Sequence, residues 1–148
     1  MNATKSAVNR ADLLQVQGKY PNQTGPVALG LECAGHVIES GSSAFKEGDA
    51  IMALLDGGGY SEFVDVSAQM AIGIDETRLG LDRAGAIPET FLTAFQLLHF
   101  VGETRPDSRV IIHGAGSGVG TAAIQLAKAA GCKEIYATWG INDTFYSF

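Results

Sequence analysis

The sequence predicts an α/β chain in two parts. A β-rich stretch comes first, and a strand–loop–helix–strand unit follows. Three observations carry this reading. Between Gly30 and Ile74 short apolar runs alternate with tight glycine- and polar-rich turns. After Ile74 the apolar period lengthens to that of a helix. From Arg109 a β-branched run enters a glycine-dense loop and then a string of strong helix formers.

In the first part the expected strands are Gly30 to Glu39, Ala50 to Leu55, Tyr60 to Val66 and Met70 to Ile74. They are separated by Gly41-Ser42-Ser43, Glu47-Gly48-Asp49 and Asp56-Gly57-Gly58-Gly59. Short strands with such punctuation suggest a small barrel or a crumpled sheet. Pro88-Glu89-Thr90 then reads as a helix start, with Phe91, Ala94, Phe95 and Leu98 at helical spacing behind it.

Arg109 to His113 reads as a strand buried on both faces. Gly114 to Gly120 follows directly, and Thr121 to Ala130 is the expected helix, with Ala123, Ile124, Ala127 and Ala130 on one face. Gly131 can end it, and Glu134 to Thr138 reads as the second strand. Strand, loop, helix and strand in this order are the first half of a Rossmann domain. The tail from Ile141 to Phe148 has neither a helical nor a strand period.

A strand running through glycines into a helix aims backbone N–H groups and the positive helix end at one point, which suits a pyrophosphate. The loop is not a strict G-x-G-x-x-G, and its usable pattern is Ala115-Gly116-Ser117-Gly118-Val119-Gly120. A glycine-rich turn without ligand is the bland alternative. An NAD site places an acid at the end of the second strand, about 20 residues past the loop. Here that place holds Ala137-Thr138-Trp139-Gly140. Glu134 is at the wrong end of the strand, and Asp143 comes after it. The missing acid favours NADPH, although no Lys or Arg follows Lys133 to meet a 2′-phosphate.

Composition excludes several classes. The net charge is −6, and the ten Lys and Arg form no basic run, so nucleic acid is not an expected partner. No apolar run has the length of a membrane span, and the first residues lack a signal-peptide core. Asn2-Ala3-Thr4, Asn22-Gln23-Thr24 and Asn142-Asp143-Thr144 are then chance sequons, and a cytoplasmic, reducing setting is expected. Cys33 and Cys132 are too far apart in sequence for a zinc knuckle.

The runs Asn9-Arg-Ala-Asp-Leu-Leu-Gln-Val-Gln-Gly-Lys-Tyr20-Pro21, Gly30-Leu-Glu-Cys-Ala-Gly-His-Val37 and Gly48-Asp-Ala-Ile-Met-Ala-Leu-Leu55 resemble zinc-independent quinone oxidoreductases of the medium-chain dehydrogenase/reductase superfamily. Ala86 to Gln96 and His113 to Ala127 extend the likeness, which runs from about Ala7 to Gly140 and is nearest to the tumour-suppressor-inducible branch. The resemblance implies a partial GroES-like catalytic domain over 1–80, a linking helix region over 81–108 and a truncated Rossmann domain over 109–148.

It also implies hydride transfer from NADPH to a quinone or conjugated carbonyl. Asn9 and Tyr20 would line the nicotinamide and substrate end, and Thr93 would touch the nicotinamide. Gly116, Ser117, Gly118, Val119 and Gly120 would hold the pyrophosphate and ribose, with Thr138 and Gly140 at the adenosine end. Zinc-dependent relatives carry a cysteine where Asn9 stands and a histidine where Leu31 stands, so the resemblance implies no metal. Reduction of an enoyl thioester is the alternative activity, and association of an inactive fragment with a full-length partner is the alternative without catalysis.

Family members carry a β-rich segment ahead of the Asn9 motif where this chain has only eight residues, and the likeness stops near Gly140, so a form truncated at both ends is expected. Such a chain should be poorly stable, prone to association, and weak or inactive. The full-length form should be a homo-oligomer. Among single residues, Cys33 is expected in the core and His113 as a hydrogen-bonding or cofactor-side residue, while Asp12 and Glu32 could form a general-acid pair but by the family resemblance are structural hydrogen-bonding groups that pin the cleft.

Overall fold

The computed structural model describes residues 1–21, 28–140 and 144–147. They form two compact units, 1–89 and 90–148, each described here by itself.

The first unit is a four-stranded antiparallel sheet in sequential order: β1 (Asn2–Lys5), β2 (Glu32–His36), β3 (Ala50–Leu54) and β4 (Ala71–Gly73). β2 and β3 are buried along almost their whole length. Ala34 and Met52 pack with Ala84 of α2 (Leu81–Ala84), and Ile74, Leu79 and Ile87 close around them. β1 was not foreseen, and Tyr60 to Val66 is not a strand. That stretch touches β1 only through a single bridge, Asn2 to Phe63, flanked by Ala3 N–H to Glu62 O at 2.8 Å and Val64 N–H to Met1 O at 3.0 Å. Its alternation fails because Val64 faces the core while Phe63 is 60% exposed and Tyr60 turns to a polar partner.

The helix α1 (Arg10–Val16) has an inverted pattern. It buries Asp12 and Gln15 and exposes Leu13 and Val16. Polar contacts therefore seat it, rather than an apolar stripe. It ends in a Schellman turn, with Gly18 N–H on Gln15 O and Lys19 N–H on Leu14 O.

The helix α3 (Pro88–Phe95) starts at the expected proline and runs into a π-helical segment, Gln96–Val101. Ala94 and Leu98 are buried as their spacing requires, but Phe95 is 42% exposed and stacks on His99 and Phe100 instead.

The second unit holds a three-stranded sheet of order β5 (Arg109–His113), β6 (Glu134–Trp139) and β7 (Thr144–Ser147). β5 and β6 are parallel and joined by α4 (Gly118–Ala129), which begins three residues earlier than the sequence suggests. Gly131, at φ +77°, ends the helix in a second Schellman turn, with Cys132 N–H on Ala127 O. The core lies between α4, α3 and one sheet face: Ala94, Leu98, Ile112, Ala122, Ala123, Ala127, Ile135 and Ala137.

Two expectations are corrected here. β5 is not buried on both faces, since only Ile112 is buried and Ile111 is 60% exposed. Among the described residues of this unit, helix covers one face, and the other carries the cross-strand pairs Arg109–Glu134, Ile111–Tyr136 and His113–Thr138, of which Thr138 is buried. The tail contains a strand, because β7 pairs antiparallel with β6 from Trp139↔Thr144 to Tyr136↔Ser147.

Candidate functional site

In the first unit, Asn9 caps α1 and anchors a buried polar hub. Its backbone N–H donates to Asp12 Oδ2 at 2.7 Å, one half of a capping box. Its side-chain Nδ2 donates to Glu32 Oε1, also at 2.7 Å. The other oxygen of Glu32, Oε2, accepts the backbone N–H of Glu89 at 3.0 Å, where α3 begins. Ser6 Oγ donates to the Glu32 carbonyl at 2.7 Å. Glu32 has no exposure, and Asp12 has 3%.

Both oxygens of Glu32 and the Oδ2 of Asp12 accept hydrogen bonds in this enclosed setting. They act as acceptors that tie α1, β2 and the start of α3 together, as expected for Asp12 and Glu32. Asn9 is equally a structural member of this hub. Its Nδ2 is committed to Glu32, and the cap engages its other side. Tyr20 is half-buried just past the end of α1.

The sequence reading missed Tyr60 and Glu89. The Tyr60 hydroxyl donates to Asp12 Oδ2 at 2.7 Å. Loss of hydration, this bond, and the charges of Asp12 and Glu32 push its pKa up to about 12. The signal available was Gly57-Gly58-Gly59, which delivers Tyr60 but reads only as a turn. Burial, and then the charges of Glu32 and Asp12, push the Glu89 carboxyl above its ordinary range. Cys33 is fully buried, and burial raises its thiol to about 11, so it is a core residue. The side chain of Leu31, beside Glu32, is also buried. Among the described residues, no group of three or more His, Cys, Asp or Glu could hold a metal ion.

In the second unit the glycine turn has the geometry of an anion cradle. Ser117 is the N-cap of α4, and its Oγ accepts Gly120 N–H at 3.0 Å. The remaining N–H groups of the first turn have no intrahelical acceptor and point along the positive helix end. A Cβ on Gly120 would lie 2.5 Å from the carbonyl oxygen of Gly114, so this glycine lets the helix pack against the strand end. A Cβ on Gly118 would press on Thr90 Cγ2 at 2.9 Å. At Gly116 a Cβ would meet nothing within 4 Å, which leaves the outer wall of the turn open to a ligand. Close strand–helix packing and an open approach are two things a dinucleotide turn asks of its glycines. Val119 is half-buried, and Thr93 is half-buried on α3.

The ends of β5 and β6 are locked together. Thr138 Oγ1 lies 2.9 Å from His113 Nδ1, and its carbonyl accepts Ala115 N–H at 3.0 Å. Thr138 is thus buried under the entry to the loop, and Gly140 follows at φ +88° in the open. Glu134, at the far end of β6, is occupied by Arg109 at 3.2 Å and by the Tyr136 hydroxyl at 2.6 Å. No acid or base stands between Thr138 and Gly140, and Asp143 lies outside the described residues. Among the described residues, no helix is long and apolar enough to cross a membrane.

Residues 2–99 match the alcohol dehydrogenase GroES-like domain. The chain is 33% identical over 134 residues to the synaptic vesicle membrane protein VAT-1 homolog of Danio rerio, covering 88% of this chain and 28% of that protein. The structure of the CurK enoyl reductase superposes with a TM-score of 0.85 at 32% identity, over 95% of this chain and 45% of that one. Escherichia coli quinone oxidoreductase complexed with NADPH superposes with a TM-score of 0.82 at 31% identity, over 95% and 44%. The chain therefore spans less than half the length of these solved relatives. By its GroES-like match and these neighbours it belongs to the medium-chain dehydrogenase/reductase family of oxidoreductases.

Proposed function

We propose that the chain carries part of an NADPH-dependent oxidoreductase that reduces a quinone or a related conjugated carbonyl, of the tumour-suppressor-inducible branch. The observation that carries this reading is the β5–turn–α4–β6 unit, with Ser117 capping α4 and Gly120 closing strand on helix. Gly116, Ser117, Gly118 and Val119 would hold the pyrophosphate, and Thr138 with Gly140 would face the adenosine. Thr93 would meet the nicotinamide end, while Asn9 and Tyr20 would serve the substrate end. The reduced nicotinamide supplies the hydride, and the protein orients the reactants. The absence of an acid between Thr138 and Gly140 favours NADPH over NADH. A cytoplasmic setting, a homo-oligomeric full-length form and no nucleic-acid partner complete the proposal.

The likeness to CurK supports a second reading, reduction of an enoyl thioester. Titration of the full chain with NADPH, NADH and 2′,5′-ADP, followed by fluorescence and calorimetry, tests the cofactor half. Saturable binding with NADPH tighter than NADH is expected, and absence of binding to all three overturns it. Consumption of NADPH with a quinone and with an enoyl thioester, compared side by side, separates the two substrates.

A further inference from the structure

The loop that leaves β3 reads Asp56-Gly57-Gly58-Gly59 and ends on Tyr60. Asp56 is the one aspartate of the sequence that is followed by glycine. It is exposed, and among the described residues its carboxyl group has neither a hydrogen bond nor an ion pair. The amides around it are held. Leu55 N–H donates to Leu31 O at 2.7 Å, Gly58 N–H to Ala28 O at 2.9 Å, Gly59 N–H to Gly30 O at 2.9 Å and Tyr60 N–H to Leu29 O at 3.2 Å. Among the described residues the N–H of Gly57 has no acceptor.

A free β-carboxyl beside a free, unhindered amide is the reactant pair of an intramolecular cyclisation. Other aspartates lack one half of it. Asp107 precedes the small Ser108, but Ser108 N–H is held on Arg105 O at 3.0 Å. Asp75 Oδ1 accepts from Thr77 N–H at 3.0 Å and from its hydroxyl at 2.6 Å. Asp49 Oδ2 accepts Lys46 N–H at 2.9 Å.

We propose that Asp56-Gly57 is a site of spontaneous backbone modification, which converts Asp56 to isoaspartate through a cyclic imide. The Gly57 nitrogen attacks Cγ of the protonated Asp56 carboxyl. The new C–N bond forms, the C–OH bond breaks, and the hydroxyl leaves as water with the amide proton. Solvent water then opens the ring. Cleavage between Cγ and nitrogen restores aspartate. Cleavage at the α-carbonyl leaves the main chain running through Cβ and Cγ, one atom longer, with the α-carboxylate as side group. The partner fitted to that product is an isoaspartate-specific carboxyl methyltransferase that uses S-adenosylmethionine.

The extra atom falls just ahead of a segment without slack. A Cβ on Gly57 would lie 2.5 Å from Ala28 O, and one on Gly59 2.5 Å from Glu32 O. The lengthened chain therefore shifts the glycines against Ala28–Gly30 and draws the Tyr60 hydroxyl off Asp12 Oδ2, where it sits at 2.7 Å. Modification so removes one tie on α1. The proposal is independent of the cofactor reading.

The full chain, aged at physiological temperature and pH, is followed by peptide mapping with electron-transfer fragmentation and by methyl transfer from labelled S-adenosylmethionine. Isoaspartate should accumulate at Asp56 at least about five-fold more than at Asp107, whose Ser108 amide must first leave its hydrogen bond. Asp56→Glu keeps the charge at an exposed position but would have to close a larger ring, so methyl labelling should fall to background. The isoaspartate-bearing fraction, separated by ion exchange, should unfold at lower urea than the unmodified one. No isoaspartate at Asp56, equal amounts at Asp107, or accumulation only in denatured chain overturns the proposal. Equal urea midpoints for the two fractions overturn its link to Tyr60.

Discussion

The side-chain amide of Asn9 donates to Glu32 Oε1 across 2.7 Å, and the carboxylate that receives it is wholly buried. The same carboxylate takes Glu89 N–H at 3.0 Å, so one side chain holds the cap of α1 and the first turn of α3.

Glu32→Ala would remove the carboxylate that accepts both N–H groups. Each partly buried donor that loses this acceptor costs about 1–3 kcal/mol, so the first unit should lose several kcal/mol of stability. Glu32→Gln keeps one acceptor oxygen and should cost clearly less. Urea unfolding followed by far-UV circular dichroism measures both. A Glu32→Ala midpoint close to that of the parent chain would remove the hub from the account of this fold.

The glycine turn makes a paired prediction. Gly120→Ala forces a Cβ to within 2.5 Å of the Gly114 carbonyl oxygen, and backbone cannot move aside cheaply. It should lower the melting temperature and displace α4, with cofactor binding lost as a consequence. Gly116→Ala meets nothing within 4 Å, so the fold should melt as before. The methyl would stand where the pyrophosphate approaches, so NADPH affinity should fall at least about ten-fold, or roughly 1.4 kcal/mol. Thermal scans beside NADPH titrations separate the two. Unchanged binding in Gly116→Ala would take the pyrophosphate away from this turn.

The β5–turn–α4–β6 unit was legible because everything that makes it is local. β-branched residues, glycines, helix formers and Gly131 follow one another along the chain, and each acts on its neighbours. The first unit is different. α1 buries Asp12 and Gln15 and exposes Leu13 and Val16, so an apolar period points to the wrong face. Its seating depends on Glu32 and Tyr60, which lie 23 and 48 residues from their partners Asn9 and Asp12. The structural role of Glu32 was foreseen through the family resemblance and not from its own stretch of sequence, which does not name Asn9 or Glu89 as its partners. Tyr60 gave no sign of its role, because an aromatic after three glycines fits a strand start equally well. The exposure of Ile111 could not be read from composition, since a β-branched run looks the same with one face covered or two.

The two thiols should differ sharply in reactivity. Cys33 is fully buried, and burial raises its pKa to about 11, so its thiolate is scarce and out of reach near neutrality. Cys132 is half-buried, and burial raises it too. Native protein treated with a disulfide reagent at mildly alkaline pH should release close to one equivalent of thiolate, and a second only in denaturant. Cys132→Ser should abolish the native reaction. A fast reaction that persists in that variant would place Cys33 at the surface.

Glu89 and Glu134 should bend the pH dependence of stability in opposite directions. The Tyr136 hydroxyl and then Arg109 and Lys133 hold the Glu134 carboxyl below its ordinary range. Its contribution is present above the ordinary glutamate value and is lost as pH falls through the lower native value. Glu89 is raised, chiefly by burial and then by the charges of Glu32 and Asp12. The native chain therefore binds its proton more tightly than the unfolded chain does. Stability should fall as pH rises from the ordinary glutamate value of 4.5 through the raised native one, and level off beyond it. Glu89→Gln cannot ionise, so its curve should be flatter across that interval and should gain on the parent toward neutral pH. Urea midpoints taken from acid to neutral pH for the two chains test this directly. Parallel curves would mean that Glu89 is as well hydrated as a surface carboxylate, and that the charges of Glu32 and Asp12 do not reach it.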